Sequence, residues 1–433
     1  MDSLVICPMN ESPKIQTISV DQLQLGMFVV KLDIPWLASP FVRHSRLIKS
    51  DVDIDKLKKA GVKALVIDLE RGKHPEPLAN NSSLRPNEGR AFSPSTNNCD
   101  DTKKITPDSF VSSHSLSKEM NVALNLRSKI KSTVSRLHLN VERDGVVDHA
   151  ELVPLIEDAV ASLQRNNQAL LNLVHMSRKS QKLADHSFST FCLSLNIAVN
   201  LNLTETDRDA LGVAALLHDV GWVQLPLHLM GKRTAYTVVE KRLMESHVEI
   251  GLKMLVKSNL PQSVLTCISQ HHECCDSRGY PAGDGEGTLL YISKLLAVAV
   301  NYDESVHQLT DKPGMLPTNA LRKLYLEAEK GKYSIEVVAA LINILGVYPV
   351  TSAVLLNTGE KGVVEQVFSS AHMEPIIRIF YGINGEVLKT PKVIDLRLQD
   401  EAALNVEARR IERVLDCRNT KDDPKKLLEP HFD

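Results

Sequence analysis

Along residues 15–70 apolar and polar positions alternate in short runs. "QTISV" and "GMFVVKLDI" have the two-residue period of half-buried strands, and "DIDKLKKAGVKALVIDL" reads as a short helix stopped at Gly61 and followed by another strand. These runs predict a small α/β domain over residues 1–70. From residue 71 to about 116 the chain changes to "RGKHPEPLANNSSLRPNEGRAFSPSTNNCDDTKK", with too little apolar material to bury, which predicts a disordered linker.

Residues 117–345 carry the helical period. In "LTETDRDALGVAALLHDVG", Thr204 and Asp207 stand in capping-box relation, a Leu and Ala stripe follows, and Gly221 is the expected stop. "LPQSVLTCISQHH" opens with Pro261 at the first helical position and places Val264, Ile268 and the His271/His272 pair on one stripe. After Pro349 strands return, broken by Gly-containing turns, which predicts a β-rich extension over 346–400 before a charged tail at 401–433. The fold class is therefore mainly α: an all-helical domain, preceded by a small α/β domain and followed by a short β-rich extension. No internal repeat is present.

Composition narrows the function classes. The chain has 433 residues, 43% of them hydrophobic, enough for several domains with a sizeable core. A formal net charge of −2 supplies no global field for a nucleic acid polymer or an anionic membrane, so an anionic ligand has to be held by local groups. The N-terminus lacks the basic and apolar regions of a secretory signal. The longest uncharged run, Val337 to Asn357, contains Asn343, Gly346 and Pro349 and reads as a helix end, a turn and a strand, not as a membrane span. Seven scattered cysteines fit reduced thiols, and the expected location is the cytoplasm.

Potential metal ligands recur at the ends of the predicted helices: His186 in "ADHSF", His218 and Asp219 in "LLHDVG", His247 in "ESHVEIG", then His271 with His272 in "HHECCDSRGYP". Imidazole and carboxylate donors of this kind suit first-row divalent ions, and an aspartate beside a histidine can bridge two of them. Two ions about 3.5–4 Å apart would form a clamp for phosphate-ester hydrolysis.

The order of these motifs resembles the HD-GYP family, bacterial phosphodiesterases that cleave the second messenger cyclic di-GMP. "HDVGW", "HVEIG", "HHECCDSRGYP" and "AVNYDE" correspond to the family's HDxGK, HxxxG, HHExxDGxGYP and ADxYDA, and the resemblance covers about residues 180–345. The flanks agree: "ISVDQLQLGMFVVKLDIPWLASPF" is similar to the uncharacterised domain that often precedes HD-GYP domains. The resemblance implies that His186, His218, Asp219, His247, His271 and His272 hold one or two ions, Fe or Mn foremost, with Asp219 and His218 at the catalytic centre. It implies phosphate contacts from Arg278 and Lys312. It also implies a GYP loop at Gly279, Tyr280 and Pro281 that meets substrate and diguanylate cyclase partners.

The pattern departs from the family at meaningful positions. Trp222 stands where a phosphate-facing lysine is usual, and Val300 stands where an aspartate completes the ligand set and instead continues the apolar stripe of Ile292 and Leu296. Asp303, three residues on, is a candidate substitute. Lys182 replaces a glutamate that supports a third ion in some members. Cys274 replaces a usual arginine and reads as an inert thiol, and Ser277 replaces a usual glycine. Three outcomes follow: a cyclic di-GMP phosphodiesterase, impaired by Trp222 and Val300; a non-catalytic module binding cyclic di-GMP or a partner protein; or another HD-type nucleotide phosphohydrolase.

Overall fold

The computed structural model of the chain describes residues 15–32, 46–48, 50–59, 61–69, 71–73, 115–143, 145–176, 183–230, 232, 234–281, 289–307, 314–368, 371–398, 408–418 and 420–428. It falls into two compact units, residues 1–109 and 110–433. Most of the expected linker, together with Lys182 and Lys312, lies outside the described residues.

In the first unit the alternating runs form β1 (Ile15–Ser19), β2 (Phe28–Leu32), β3 (Arg46–Leu47) and β4 (Ala64–Asp68), all pairing antiparallel in the order β1-β4-β2-β3. One helix, α1 (Asp51–Lys59), precedes Gly61, whose φ of +79° is the left-handed turn that lets the chain double back into β4. Met27, Val29, Leu57, Leu65 and Ile67 fill the core between helix and sheet.

The second unit is helical, then β. Ser115 caps α2 (Leu116–Glu142), and α3 (His149–Arg165) and α4 (Asn167–Met176) follow. Next come α5 (Leu183–Asn200), α6 (Glu205–Leu217), α7 (Val238–Glu245), α8 (His247–Leu255) and α9 (Gln262–Ser269). The helical part closes with α10 (Tyr291–His307), α11 (Pro317–Glu329) and α12 (Ile335–Leu345). Helix α5 is the axis: Ala184 to Val199 are all buried, and it packs against α2, α6, α10 and α12. A helix buried on every side has to be enclosed by others, and this one carries His186 in its first turn. No described helix is long and apolar enough to cross a membrane.

Helix α12 ends as the sequence predicts, at Gly346 with φ +71°, and the chain turns into a five-stranded antiparallel sheet. Its strands are β5 (Ala353–Leu356), β6 (Lys361–Gln366), β7 (Ile376–Tyr381), β8 (Val387–Asp395) and β9 (Ile411–Leu415), in the order β8-β7-β6-β5-β9. The presumed charged tail is thus corrected: residues 411–415 return to pair with β5, and a short helix, α13 (Pro424–Leu428), follows. Arg409 bridges Glu360 at 2.6 Å, and Asn357 receives the Arg410 backbone N–H at 2.8 Å, so charge at this strand serves pairing as well as solvation.

Candidate metal centre

The sequence brings its histidines together by placing each at a helix end. Thr204 caps α6, accepting from the Asp207 N–H at 3.2 Å, and α6 delivers His218 and Asp219 immediately past its last residue. Gly221 is not the helix stop expected of it. It sits in a 3-10 turn, Val220–Gln224, where a Cβ would come within 2.0 Å of the His247 carbonyl oxygen. Gly251 faces it on α8 and keeps that side open, so two glycines let the turn lie against the helix backbone and bring Asp219 to His247. Pro261 stands just before α9 as its N-cap residue, and α9 ends two residues ahead of His271.

Asp219 is the hub. Its Oδ2 lies 3.4 Å from His186 Nε2 and 3.6 Å from His218 Nε2, while its Oδ1 lies 3.2 Å from His247 Nε2 and 3.6 Å from His271 Nε2. His272 joins the second group. Two overlapping sets result, His186–His218–Asp219 and Asp219–His247–His271–His272, each with donor atoms within 4.8 Å of one another.

Four of the five histidines engage their other ring nitrogen. His218 Nδ1 donates to the Ala215 carbonyl at 2.9 Å, His247 to Met244 and His271 to Ile268 at 2.6 Å each, and His186 to the Asp303 carboxylate at 2.7 Å. A neutral imidazole that donates from Nδ1 presents a bare lone pair at Nε2. Yet His186 and His218 meet Nε2 to Nε2 at 3.2 Å, and so do His247 and His271. Ring nitrogens so close, both beside a carboxylate oxygen, need a proton or a metal cation between them. The donor set therefore fits divalent metal.

Burial strengthens this pattern. It pushes His218 and His272 well below the ordinary imidazole range and lowers His271, leaving them neutral as ligands must be. Burial opposes charge on Asp219 too, but the His218 imidazole and the His247 and His271 contacts hold its carboxyl well below the usual range. His186 differs: against burial, the hydrogen bond and charge of Asp303 raise it to about 9.

Aromatic rings wall the second set. Trp222 is buried and stacks on His247, centroids 5.4 Å apart at 25°, so an indole walls this flank of the set. Tyr280 of the GYP loop stacks on His272, with centroids 4.5 Å apart, and Gly279 permits the fold-back, since a Cβ there would lie 2.4 Å from the His272 carbonyl oxygen. Ser277 adopts φ +61°, the left-handed conformation that the usual glycine takes without cost. Cys274 is buried outside the ligand sets, its thiol pushed up to about 11 by burial, which fits the inert reading. Arg278 is exposed and lies 3.7 Å from Asp276.

Val300 is buried in the α10 core. Asp303 does not move in as its substitute: its two oxygens are taken by His186 and, at 2.8 Å, by His307 Nδ1. Two nearby residues escape a reading based on motifs. His138 on α2 is buried, within electrostatic reach of Asp219 and lowered to about 4 by burial. Glu304 is half-buried and pushed up to about 7, chiefly by burial, with His186, Asp219 and His247 as charge neighbours. Its i+4 spacing from Val300 was the available sequence signal.

Comparison with known proteins places the chain. Residues 153–337 match the family described as the HD domain, and residues 15–152 match a domain of unknown function, DUF3391. The chain therefore carries an HD domain preceded by a DUF3391 domain. It is 28% identical over 386 residues to a cyclic di-GMP phosphodiesterase of Pseudomonas aeruginosa, covering 88% of this chain and 89% of that protein. It is 32% identical over 155 residues to a cyclic di-GMP phosphodiesterase of Thermotoga maritima, covering 35% of this chain and 42% of that one. Among solved structures, an HDG"Y"P protein from Bdellovibrio bacteriovorus aligns with a TM-score of 0.40 and 18% identity, over 77% of this chain and 99% of that chain.

Proposed function

We propose that this chain is a metal-dependent phosphodiesterase that hydrolyses cyclic di-GMP. The observation that carries the reading is Asp219, one buried carboxylate whose two oxygens each address a pair of imidazole Nε2 atoms. The P. aeruginosa relative, similar over most of both chains, supports the substrate. His186, His218 and Asp219 form one ion position, and Asp219, His247, His271 and His272 the other, with Fe or Mn suited to this nitrogen and oxygen set. When bound, such ions supply a polarised phosphoryl group and a water of lowered pKa. The residues do the rest: Asp219 and His218 would hold the ions that face the reacting phosphate, and Tyr280 and Trp222 exclude water from one side. Arg278 and Lys312 are the candidate cations for the substrate's phosphates. A cyclic dinucleotide messenger as substrate supports a cytoplasmic location.

A second reading has its own observation. Trp222 puts an indole where a phosphate-facing ammonium is usual, and Val300 removes a ligand, together worth several kcal/mol and therefore several decades in rate. This favours a module that binds cyclic di-GMP or a partner without turning it over. Tyr280 of the GYP loop is spent on His272, and no geometry points to a diguanylate cyclase.

Purified protein loaded with Mn²⁺ or Fe²⁺ and given cyclic di-GMP decides between them, with Asp219→Ala alongside. Turnover that the substitution abolishes supports the enzyme. Cyclic di-GMP binding without turnover supports the binding module. Hydrolysis of mononucleotides alone overturns both in favour of another HD phosphohydrolase.

A further inference from the structure

Helix α10 contains the loss and, one turn later, its remedy. Val300 leaves the position of His186, His218 and Asp219 a ligand short. Asp303 cannot fill it, since both oxygens are held, at 2.7 Å by His186 and at 2.8 Å by His307. Glu304 is four residues beyond Val300, about 6 Å along the axis and about 40° round it, on the same face. Helical side chains lean toward the helix N-terminus, so a residue covers the turn before its own. A glutamate at 304 therefore lies on the face Val300 leaves without a carboxylate, with one methylene more than aspartate for the reach, and its oxygens stand outside the 4.8 Å donor sets until a side-chain rotation brings them in.

We propose that Glu304 is the missing carboxylate ligand of the metal position formed by His186, His218 and Asp219. This rests on the metal-centre reading given above. Glu304 makes no hydrogen bond or ion pair among the described residues, so its carboxylate is available to a ligand. Its charge neighbours are His186, Asp219, His247 and Asp303, so the carboxyl lies in the electrostatic surroundings of the centre. A cation there would satisfy the carboxylate and the bare imidazole nitrogens together. The site is rebuilt by a shift of one turn, with valine kept as core.

The test counts ions. Metal-free parent, Glu304→Gln and the double variant Val300→Asp/Glu304→Gln are titrated with Mn²⁺, bound metal is measured by mass spectrometry, and ion pairing is read from the exchange-coupled paramagnetic resonance signal. The expected result is two ions and a coupled signal in the parent. In Glu304→Gln one ion should remain with an uncoupled signal, the second at least ~10-fold weaker, and the double variant should recover the pair. Parent-like stoichiometry and affinity in Glu304→Gln overturn the role of Glu304 and leave the metal centre standing, as does a parent that saturates with one ion. A parent that binds no Mn²⁺ defeats the metal centre itself and this inference with it. If metal-free Glu304→Gln melts well below the parent, the double variant decides: a restored second ion supports the proposal, and none overturns it.

Discussion

Asp303 grips His186, its Oδ2 accepting from the ring Nδ1 at 2.7 Å, while its Oδ1 accepts from His307 at 2.8 Å. The carboxylate fixes the tautomer that leaves His186 Nε2 free and raises the basicity of the ring. Partners of this kind typically contribute 10–100-fold to metal affinity. Asp303→Asn can accept from only one of the two rings and carries no charge, so Mn²⁺ binding should weaken about 10–100-fold with the other ion position undisturbed. Calorimetric titration checks this, and unchanged affinity for both ions would mean that Asp303 does not orient the ring.

The same pair sets a pH dependence. With a folded value of about 9 against an ordinary 6.5, His186 is protonated at neutral pH in the metal-free protein. Its contribution to stability is complete below pH 6.5 and is lost as pH rises through 9. The urea midpoint of metal-free parent relative to His186→Gln should therefore narrow between pH 6.5 and 9. Metal binding has to displace that proton, so calorimetry in two buffers should find about one proton released per chain at pH 7, and fewer as pH passes 9. A release near zero at pH 7 would show that His186 is already neutral.

Much of this was legible in the sequence, for a physical reason: metal donors are chemically distinctive, and HD, HH and GYP stand at fixed intervals. What the sequence hid depends on packing. Gly221 looks like a helix stop because glycine usually is one, yet here its missing Cβ serves a contact with a helix 26 residues away, at His247. Asp303 looked like a spare ligand because spacing gives the face of a helix and says nothing of which partner claims a side chain. The run from 401 looked like a tail because an exposed edge strand, with the sheet on one side only, carries charge between its apolar positions.

Gly221 supplies a sharp test. Alanine would place a methyl 2.0 Å from the His247 carbonyl oxygen and 2.7 Å from the Gly251 nitrogen, distances that only a backbone shift can relieve. Gly221→Ala should separate Asp219 from His247, lower the melting temperature and weaken metal binding. Gly61→Ala should leave metal binding untouched, since nothing lies within 4 Å of its Cβ position and its cost is confined to a φ of +79°. Equal metal affinity in Gly221→Ala and parent would remove the close approach from the account of the site.

Away from the centre, Glu119 is fully buried in α2 and is held by Arg165 through two hydrogen bonds, 2.9 and 2.8 Å, and by the Ser162 hydroxyl at 2.8 Å. Removing the cation leaves the carboxylate in the core. Because Arg165 is partly exposed, Arg165→Ala should cost about 3 kcal/mol, the lower end of the range for breaking a buried pair. Urea unfolding measures it, and a loss under about 1 kcal/mol, the scale of a surface pair, would show that water reaches Glu119.

Trp222 tests the substrate side of the site. Its indole is 8% exposed, packs with Leu225, Leu229 and Met244, and stacks on His247. Trp222→Lys loses that packing. Truncating a buried tryptophan costs about 3–5 kcal/mol, and the lysine stem returns part of it, so a net loss of about 2–4 kcal/mol is expected. Against this, the ammonium adds a charge-assisted contact worth about 1.5–3 kcal/mol to a phosphate beside the ions, roughly 10–100-fold in cyclic di-GMP affinity. The two effects therefore move in opposite directions: a lower melting temperature and tighter binding. Binding measured by calorimetry on metal-loaded protein separates them from a plain loss of fold, in which both would fall. If affinity stays at the parent value while the melting temperature drops, the indole is packing alone, and the flank of His247 is not where this protein meets its phosphate.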